Sequence, residues 1–256
     1  MLAKERRRKI VSLIEKGKTV KVKELCDKFA VSGSTIRRDL KKLEEEELIS
    51  RTHGGAVAKE SRDFEPSFIE KEDEHTEAKS KIGKKAAKLI NDGETIILDA
   101  GTTTTQLAKS LDQHQDLTIV TNAVNIALEL SNSPHQVVLP GGDLKKKTLA
   151  LVGPATEDYL ENLHADKVFL GANGIDLEAG VTTPDLVEAN VKSKMASKAK
   201  EVIVLADESK FDKVTLVKVI DITDVSKVVT DYKLDQKLVS KYRALVDLVM
   251  VGGEKE

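Results

Sequence analysis

The sequence predicts two domains of different class: a small helical module at the N-terminus and, behind it, an α/β domain with a mostly parallel sheet. Three observations predict this. The chain has 256 residues, more than one typical domain. Its charge is split: residues 1–58 hold 15 Lys and Arg against 9 Asp and Glu, and residues 59–256 hold 26 against 34, although the whole is nearly neutral at −2. The apolar pattern also changes, from helical spacing before residue 58 to short Val- and Ile-rich runs separated by helical stretches after residue 76. The expected divisions are 1–58, a charged linker over 59–75, and 76–256.

In the first division, Ala3, Ile10, Leu13 and Ile14 fit one face of a helix over 3–16, with Arg6, Arg7 and Arg8 on the solvated remainder and Gly17 as its stop. Residues 23–30 make a short second helix that turns Leu25, Cys26 and Phe29 inward. Val31-Ser32-Gly33 is a tight turn, and Ser32 is a good N-cap for a third helix over 33–46. There Ile36, Leu40 and Leu43 form an apolar stripe, while Ser34, Thr35, Arg37, Arg38, Lys41 and Lys42 occupy other faces. Residues 48–51 and 56–57, on either side of Gly54-Gly55, read as a hairpin. Three helices and a hairpin at this spacing form the winged variant of the helix-turn-helix, in which a second helix braces a third. Ser32, Ser34, Thr35 and the third helix's N-terminus suit phosphate oxygens, and Arg37 or Arg38 can take guanine bidentately. Lys41, Lys42 and, on the hairpin, Arg51 and His53 complete the candidate DNA-binding set. Asp39, acidic among these cations, is expected to hold an arginine or a backbone amide.

The linker is dense in charge and contains Pro66, with Phe64 and Phe68 as its large anchors. A helix around 76–91 then leads through Asn91-Asp92-Gly93 into a buried-looking strand, Thr95–Leu98. Strand-like runs recur at 117–120, 136–139, 167–170, 202–205, 227–230 and 248–251. Helical stretches lie between most of them, which predicts a largely parallel sheet. The first strand runs into Asp99-Ala100-Gly101-Thr102-Thr103-Thr104-Thr105, a small, hydroxyl-rich loop opening a helix and therefore a candidate phosphate cradle. Thr121-Asn122, Pro140-Gly141-Gly142, the stretch from Gly171 through Asn173 to Asp176, and Asp207 with Lys210 follow other strands. Each glycine alone reads as a tight turn; together, at the carboxyl ends of parallel strands, these loops predict a polar pocket for a small ligand.

The residues around the third helix resemble a known family. Val22-Lys23-Glu24-Leu25, the run from Val31 to Leu40, Leu43-Glu44 and the run from Leu48 to Ala56 closely resemble the DNA-binding signature of the DeoR family of bacterial transcription regulators. Glu45-Glu46-Glu47 departs from it, since the family usually has a glycine there. The second half is similar along its length to the DeoR effector domain, which resembles ribose-5-phosphate isomerase, glucosamine-6-phosphate deaminase and the CoA transferases in fold. The resemblance implies a repressor of a sugar-metabolism operon, a homo-oligomer (dimer or tetramer) on double-stranded operator DNA, controlled by a phosphorylated sugar. The implied effector residues are Asp99, Gly101, Thr102, Thr103, Thr104, Thr105, Thr121, Asn122, Gly141, Gly142, Gly171, Asn173, Asp176, Glu188 and Lys210. Glu188 is expected to bind a sugar hydroxyl or to pair with Lys192 four residues on.

The same resemblance bears on catalysis. The isomerase relatives carry an Asp-Gly-Ala-Asp-Glu stretch, and the similar stretch here is Leu170-Gly171-Ala172-Asn173-Gly174, with all three acidic positions replaced. Without a carboxylate in reach of the substrate proton, acid–base isomerisation lacks its base, and no enzymatic activity is expected. The alternative is an active sugar-phosphate isomerase or deaminase with a DNA-binding appendage. No cofactor is expected beyond the sugar-phosphate effector. One cysteine, Cys26, excludes an intrachain disulfide and a cysteine-built zinc site. His53, His75, His114, His135 and His164 show no paired metal-ligand spacing, and neither a Walker-type phosphate loop nor a Gly-x-Ser-x-Gly elbow is present. No apolar run has the length of a membrane span, and the charged start has no signal-peptide stretch, so a soluble cytoplasmic protein is expected.

Overall fold

Ile10 and Ile14 on one helix, Leu25 on a second, and Ile36, Leu40 and Leu43 on a third meet in one buried cluster, and this meeting defines the first of two units. The computed structural model describes residues 3–17, 19–46, 48–52, 54–58 and 67–252. The units are Met1–Phe64 and Glu65–Glu256.

In the first unit α1 (Ala3–Gly17), β1 (Thr19–Lys21), α2 (Val22–Phe29) and α3 (Gly33–Glu45) are followed by the wing strands β2 (Ile49–Thr52) and β3 (Gly55–Ala58). The expected hairpin is the β2–β3 pair, but the wing has a third strand, β1, which pairs antiparallel with β3 through Val20 opposite Ala56. Its single apolar residue, Val20, is too little for a strand pattern to show in sequence, and its burial comes from β3. Gly55 is required at that crossing, because a Cβ there would lie 1.8 Å from the Val20 carbonyl oxygen. The turn before α3 has Ala30 in the left-handed region, φ 52°, and Ser32 as N-cap, accepting from the Thr35 amide at 3.3 Å. At the other end α3 stops at Glu46 with φ −80°, without the left-handed residue that a glycine would supply.

Arg6 does not lie on a solvated face as expected. Its Nε donates to Asp39 Oδ2 at 2.6 Å, and both side chains are 8% exposed. Asp39 thus plays the arginine-holding part read from sequence, and the pair clamps α1 to α3 inside the core.

The second unit begins with α4 (Phe68–Glu72), in the stretch read as linker, and α5 (Thr76–Ala87). Then follow β4 (Thr95–Leu98), α6 (Thr102–Ala108), β5 (Thr118–Thr121), α7 (Val124–Glu129), β6 (Gln136–Val138), β7 (Asp143–Lys145), β8 (Ala150–Val152) and α8 (Pro154–Glu161). The remainder comprises β9 (Ala165–Gly171), β10 (Gly174–Asp176), β11 (Gly180–Thr183), α9 (Leu186–Ser197), β12 (Ala199–Leu205), β13 (Val217–Ile220), β14 (Lys227–Asp231), α10 (Gln236–Arg243) and β15 (Asp247–Val251). All seven strands expected from apolar runs join one parallel sheet, in the order β15-β14-β12-β9-β4-β5-β6. Their residues alternate between two cores. Ile97, Val168, Leu170, Val202 and Val204 pack on the side of α8, α9 and α10, whereas Ile96, Leu98, Phe169, Ile203 and Leu205 pack on the side of α5, α6 and α7. Burial on both faces is why these strands read as continuous apolar runs. The antiparallel pieces, β7–β8 and β10–β11–β13, are only three or four residues each, too short for a strand period to show, and were not visible as strands.

Two features of this sheet position a site. Chain order runs from β4 outward to β5 and β6, then resumes at β9 on the other side and runs outward to β15. The order therefore reverses between β4 and β9, the point where open α/β sheets form a crevice at their carboxyl ends. Gly83 lets α5 pack closely against α6, the helix that starts at that crevice, since a Cβ there would meet the Gln106 carbonyl carbon at 2.5 Å.

At the opposite, amino ends of these strands, Lys167 of β9 donates to Glu94, which also accepts from the Asn91 amide at 3.1 Å and its side chain at 2.8 Å. Burial works to raise the Glu94 carboxyl, but Lys167 and Asn91 prevail and hold it below its ordinary 4.5. Glu94→Gln should cost about 1–3 kcal/mol near neutral pH. A folded-state pKa below the unfolded one gives a contribution that is present above the unfolded value and lost as pH falls through the folded one. Denaturation curves of parent and variant should therefore differ at neutral pH and converge in acid. In the first unit, Asp39→Ala should lower stability by about 3–5 kcal/mol, because it strands Arg6 in the core. Thermal circular dichroism should record this loss even though the change removes an acid from a helix of cations.

Candidate functional site

On α3, Ile36, Asp39, Leu40 and Leu43 face the core, which leaves Ser34, Arg37, Arg38, Lys41 and Lys42 on the exposed side at i, i+3, i+4, i+7 and i+8. The stripe has four cations. Ser32 Oγ lies 2.9 Å from both Ser34 Oγ and Thr35 Oγ1, so the three hydroxyls cluster at the helix's amino end. Arg51 on β2 is tied back to the helix: its Nε donates to Glu44 Oε2 at 2.7 Å and its amide to Glu44 Oε1 at 3.1 Å. These hydrogen bonds hold the Glu44 carboxyl below its ordinary value. The structure thus brings Ser32, Ser34, Thr35, Arg37, Arg38, Lys41 and Lys42 together on one helix, with Arg51 anchored beside its far end. His53 lies outside the described residues.

In the second unit a narrow cavity of about 50 Å³ opens at the reversal between β4 and β9. Gly101 comes from the loop after β4, Thr102 and Thr103 from the first turn of α6, Gly171 and Asn173 from the end of β9 and just beyond it, and Asp207 and Lys210 from the turn after β12. Glu188 and Lys192 of α9 close one side. Asp99, 1% exposed, lies beneath this lining and accepts from the Gly171 amide at 2.9 Å and from the Lys192 ammonium. Burial pushes the Asp99 carboxyl above its ordinary range, while Lys192 and the Gly171 amide pull against it. Asp207 is held below its ordinary value: burial opposes this, but Lys210, Ser209 and His75 outweigh it.

Of the implied effector residues, Gly101, Thr102, Thr103, Gly171, Asn173, Glu188 and Lys210 line the cavity together. The others are engaged within the protein. Thr104 and Thr105 hydroxyls donate to the Gly101 carbonyl at 2.9 and 2.7 Å. Thr121 Oγ1 donates to the Leu98 carbonyl at 2.7 Å, and Asn122 accepts from the Ala100 amide at 3.1 Å, so both brace the β4 loop from β5. The Gly141 carbonyl accepts from Thr156, and Gly142 packs against the same residue. Asp176 Oδ1 accepts from the Glu178 and Ala179 amides, closing the β10–β11 turn.

The Glu188–Lys192 helix pair is corrected. Glu188 accepts from Thr148 and pairs with Lys145 at 3.3 Å, whereas Lys192 reaches under Gly171 to Asp99. Each has a charged partner on another element, partly exposed Lys145 for Glu188 and fully buried Asp99 for Lys192, and Coulomb attraction in a low-dielectric surrounding exceeds that of a neighbour on the same helix surface. Sequence reading also missed Lys71 of α4, Lys79 of α5 and, between these helices, Glu74 and His75, which roof the cavity. They carried no signal, because a charged stretch before a domain reads as linker. A wider, open groove of about 810 Å³ runs along α5 towards the strands' amino ends, with Lys84, Lys85, Lys88 and Lys109 over it. Ligands of doubly wound sheets sit at the carboxyl ends, which favours the smaller cavity.

Comparison with known proteins matches both units. The family model of the DeoR-like helix-turn-helix domain matches residues 6–62, and that of the DeoR C-terminal sensor domain matches residues 74–232. The HTH-type transcriptional regulator GlpR of Haloferax volcanii is 38% identical over 92% of this chain and 92% of its own. The glycerol-3-phosphate regulon repressor of Escherichia coli is 34% identical over 89% of this chain and 90% of its own. Ribose 5-phosphate isomerase A of Methanocaldococcus jannaschii aligns over 53% of this chain and 54% of its own, with 19% identity and a TM-score of 0.40. The chain belongs to the DeoR family of transcriptional regulators, with a helix-turn-helix domain followed by a C-terminal sensor domain.

Proposed function

We propose that this regulator is a repressor of a sugar-metabolism operon, that α3 reads the operator, and that a phosphorylated sugar in the cavity between β4 and β9 controls it. The observation that carries the ligand class is the mixed lining. Lys71, Lys79 and Lys210 suit a phosphate dianion, Thr102 and Thr103 add neutral donors, and Glu74, Glu188 and Asp207 suit sugar hydroxyls. A phosphate needs the first group and a polyol the last, and one small cavity offers both. The name of the E. coli relative, a repressor of a glycerol-3-phosphate regulon, supports the same reading. A single winged module covers only a short site, so tight binding calls for paired modules and hence a homo-oligomer.

Two experiments test this. Arg37→Ala or Arg38→Ala should cost about 1–3 kcal/mol of operator affinity where the arginine reads a base, and should flatten the salt dependence where it meets only phosphate. Mobility-shift titrations at several salt concentrations measure both, and unchanged affinity in both variants would remove α3 from the operator. Calorimetry with three- to six-carbon sugar phosphates and their unphosphorylated forms tests the cavity. Lys210→Ala should weaken the phosphorylated member by about 1.5–3 kcal/mol and leave the unphosphorylated one nearly unchanged. Thr103→Val, near-constant in volume, should weaken both modestly. Equal affinity of parent and both variants for every member that binds would place the ligand elsewhere.

A further inference from the structure

The open groove along α5 lies away from the strand ends that hold the ligand cavity, and its chemistry is different. Five lysines line it: Lys81, Lys84 and Lys85 of α5, Lys88 at that helix's C-cap, and Lys109 at the C-cap of α6. Two acids, Asp92 and Asp112, share the lining. Lys81 pairs with Glu77 at 2.7 Å. Lys84, Lys85, Lys88 and Lys109 make no ion pair among the described residues, and all but the half-buried Lys85 are exposed. Asp92 is engaged with its own neighbours, accepting from the Gln115 amide at 3.0 Å and lying 3.5 Å from His114 Nδ1. The carboxyl ends of α5 and α6 favour cations, which explains why lysines can gather here but supplies no counter-charge of full strength.

The lining selects among anionic partners. A small ligand would need enclosing walls and a convergent set of mixed polar groups, and this groove is open with lysine as its dominant group. A protein partner would call for exposed apolar anchors. The large apolar members of the lining, Ile90 and Val251, are 5% and 3% exposed, and lysine is depleted in such interfaces. A single-stranded nucleic acid would need Phe, Tyr or Trp to stack its bases, and the lining has none. Duplex phosphates need only exposed point charges in a row. Lys81 to Lys88 spans about 10 Å at 1.5 Å per residue, over which one strand of a duplex presents about three phosphates, one per 3.4 Å.

The charge of the whole unit gives such a face a purpose. Residues 59–256 hold 34 acids against 26 cations, and the chain joins them to a helix that reads DNA. A net negative body carried to a polyanion is repelled unless it turns a cationic face towards it. We infer that the α5 groove is a second DNA-contacting surface, whose lysines meet backbone phosphates of double-stranded DNA without reading sequence and add to the affinity that α3 provides. The inference rests on the reading that this regulator binds DNA. Its signature is electrostatic: contacts of this kind release counterions, so they steepen the salt dependence of binding equally for every sequence.

Fluorescence anisotropy of the full chain with an arbitrary-sequence duplex, read over a range of salt, tests this surface. Lys84→Gln/Lys88→Gln should weaken binding about tenfold at about 50 mM salt and flatten the plot of log affinity against log salt by about one to two, since each lost phosphate contact removes about 0.9 from the slope. Lys237→Gln/Lys241→Gln removes two exposed lysines one turn apart on α10, on the other face of the sheet, and should match the parent in both quantities. In the parent complex, acylation of Lys84, Lys88 and Lys109, followed by mass spectrometry, should slow severalfold, and that of Lys237 and Lys241 should not. Parent-level slope and affinity in the α5 variant overturn the inference; if Arg37→Ala is weakened in the same assay, α3 keeps its part. Loss in the α5 variant with Arg37→Ala unchanged does the reverse, leaving the α5 surface and removing Arg37 from the DNA. Equal flattening in the α10 variant overturns the inference, because net charge then suffices. So does slowed acylation of the α5 lysines that tracks protein concentration without DNA, the mark of a second copy on this face. A parent that binds no duplex overturns both the DNA reading and the inference.

Discussion

Lys192 passes beneath Gly171 to Asp99, and that buried pair joins three elements at the place where the sheet reverses its order. Asp99 directly follows β4, Gly171 ends β9 and Lys192 rises from the middle of α9. The Asp99 amide continues the β4–β9 pairing by donating to the Phe169 carbonyl at 3.1 Å, and its carboxylate accepts from the Gly171 amide. A lone charge at this depth would be prohibitive, so each partner makes the other tolerable, and removing either leaves an uncompensated ion. The two loops that line the cavity are therefore set by one electrostatic constraint. Further hydrogen bonds, from Thr121, Asn122, Thr104 and Thr105, then fix the β4 loop so that Thr102 and Thr103 are left to face the opening.

The third helix and the cavity use positive charge in opposite ways. On α3 the arginines and lysines are exposed, and their hydrated side chains remain adjustable; such charges attract a polyanion at long range and are screened by salt. Around the cavity the lysines are partly or wholly withdrawn from water. Burial lowers the Lys79 pKa, the mark of an ammonium that has given up hydration without gaining a carboxylate. Charge held this way acts at short range and selects by fit. Acidic groups show the same division: Asp39 and Asp99 are buried and structural, each holding a cation in its own unit, while Glu74 and Asp207 stand at the cavity.

A ligand can shift operator affinity only by the difference in its affinity for the two forms of the protein, and the effect is reciprocal.

The sequence by itself determined the two-unit plan, the three helices and hairpin of the first unit, and all seven strands of the parallel sheet. It could do so because these elements bury whole faces and write a period into neighbouring residues: Ile36, Leu40 and Leu43 on α3, or Ile96, Ile97 and Leu98 on β4. Cavity-lining residues at strand ends, such as Thr102, Thr103, Gly171 and Lys210, were legible for the same reason, since finding the strand finds its end. Tertiary structure alone decided the rest. β1 exists because β3 lies beside it, and Arg6 leaves solvent because Asp39 waits 33 residues away. Lys192 abandons Glu188 for a partner 93 residues distant, and Lys71, Glu74, His75 and Lys79 become a roof when their segment folds back over the sheet. Local spacing records which face of an element is apolar; it holds no record of which distant charge will share a low-dielectric interior, and there the choice of partner is made by burial.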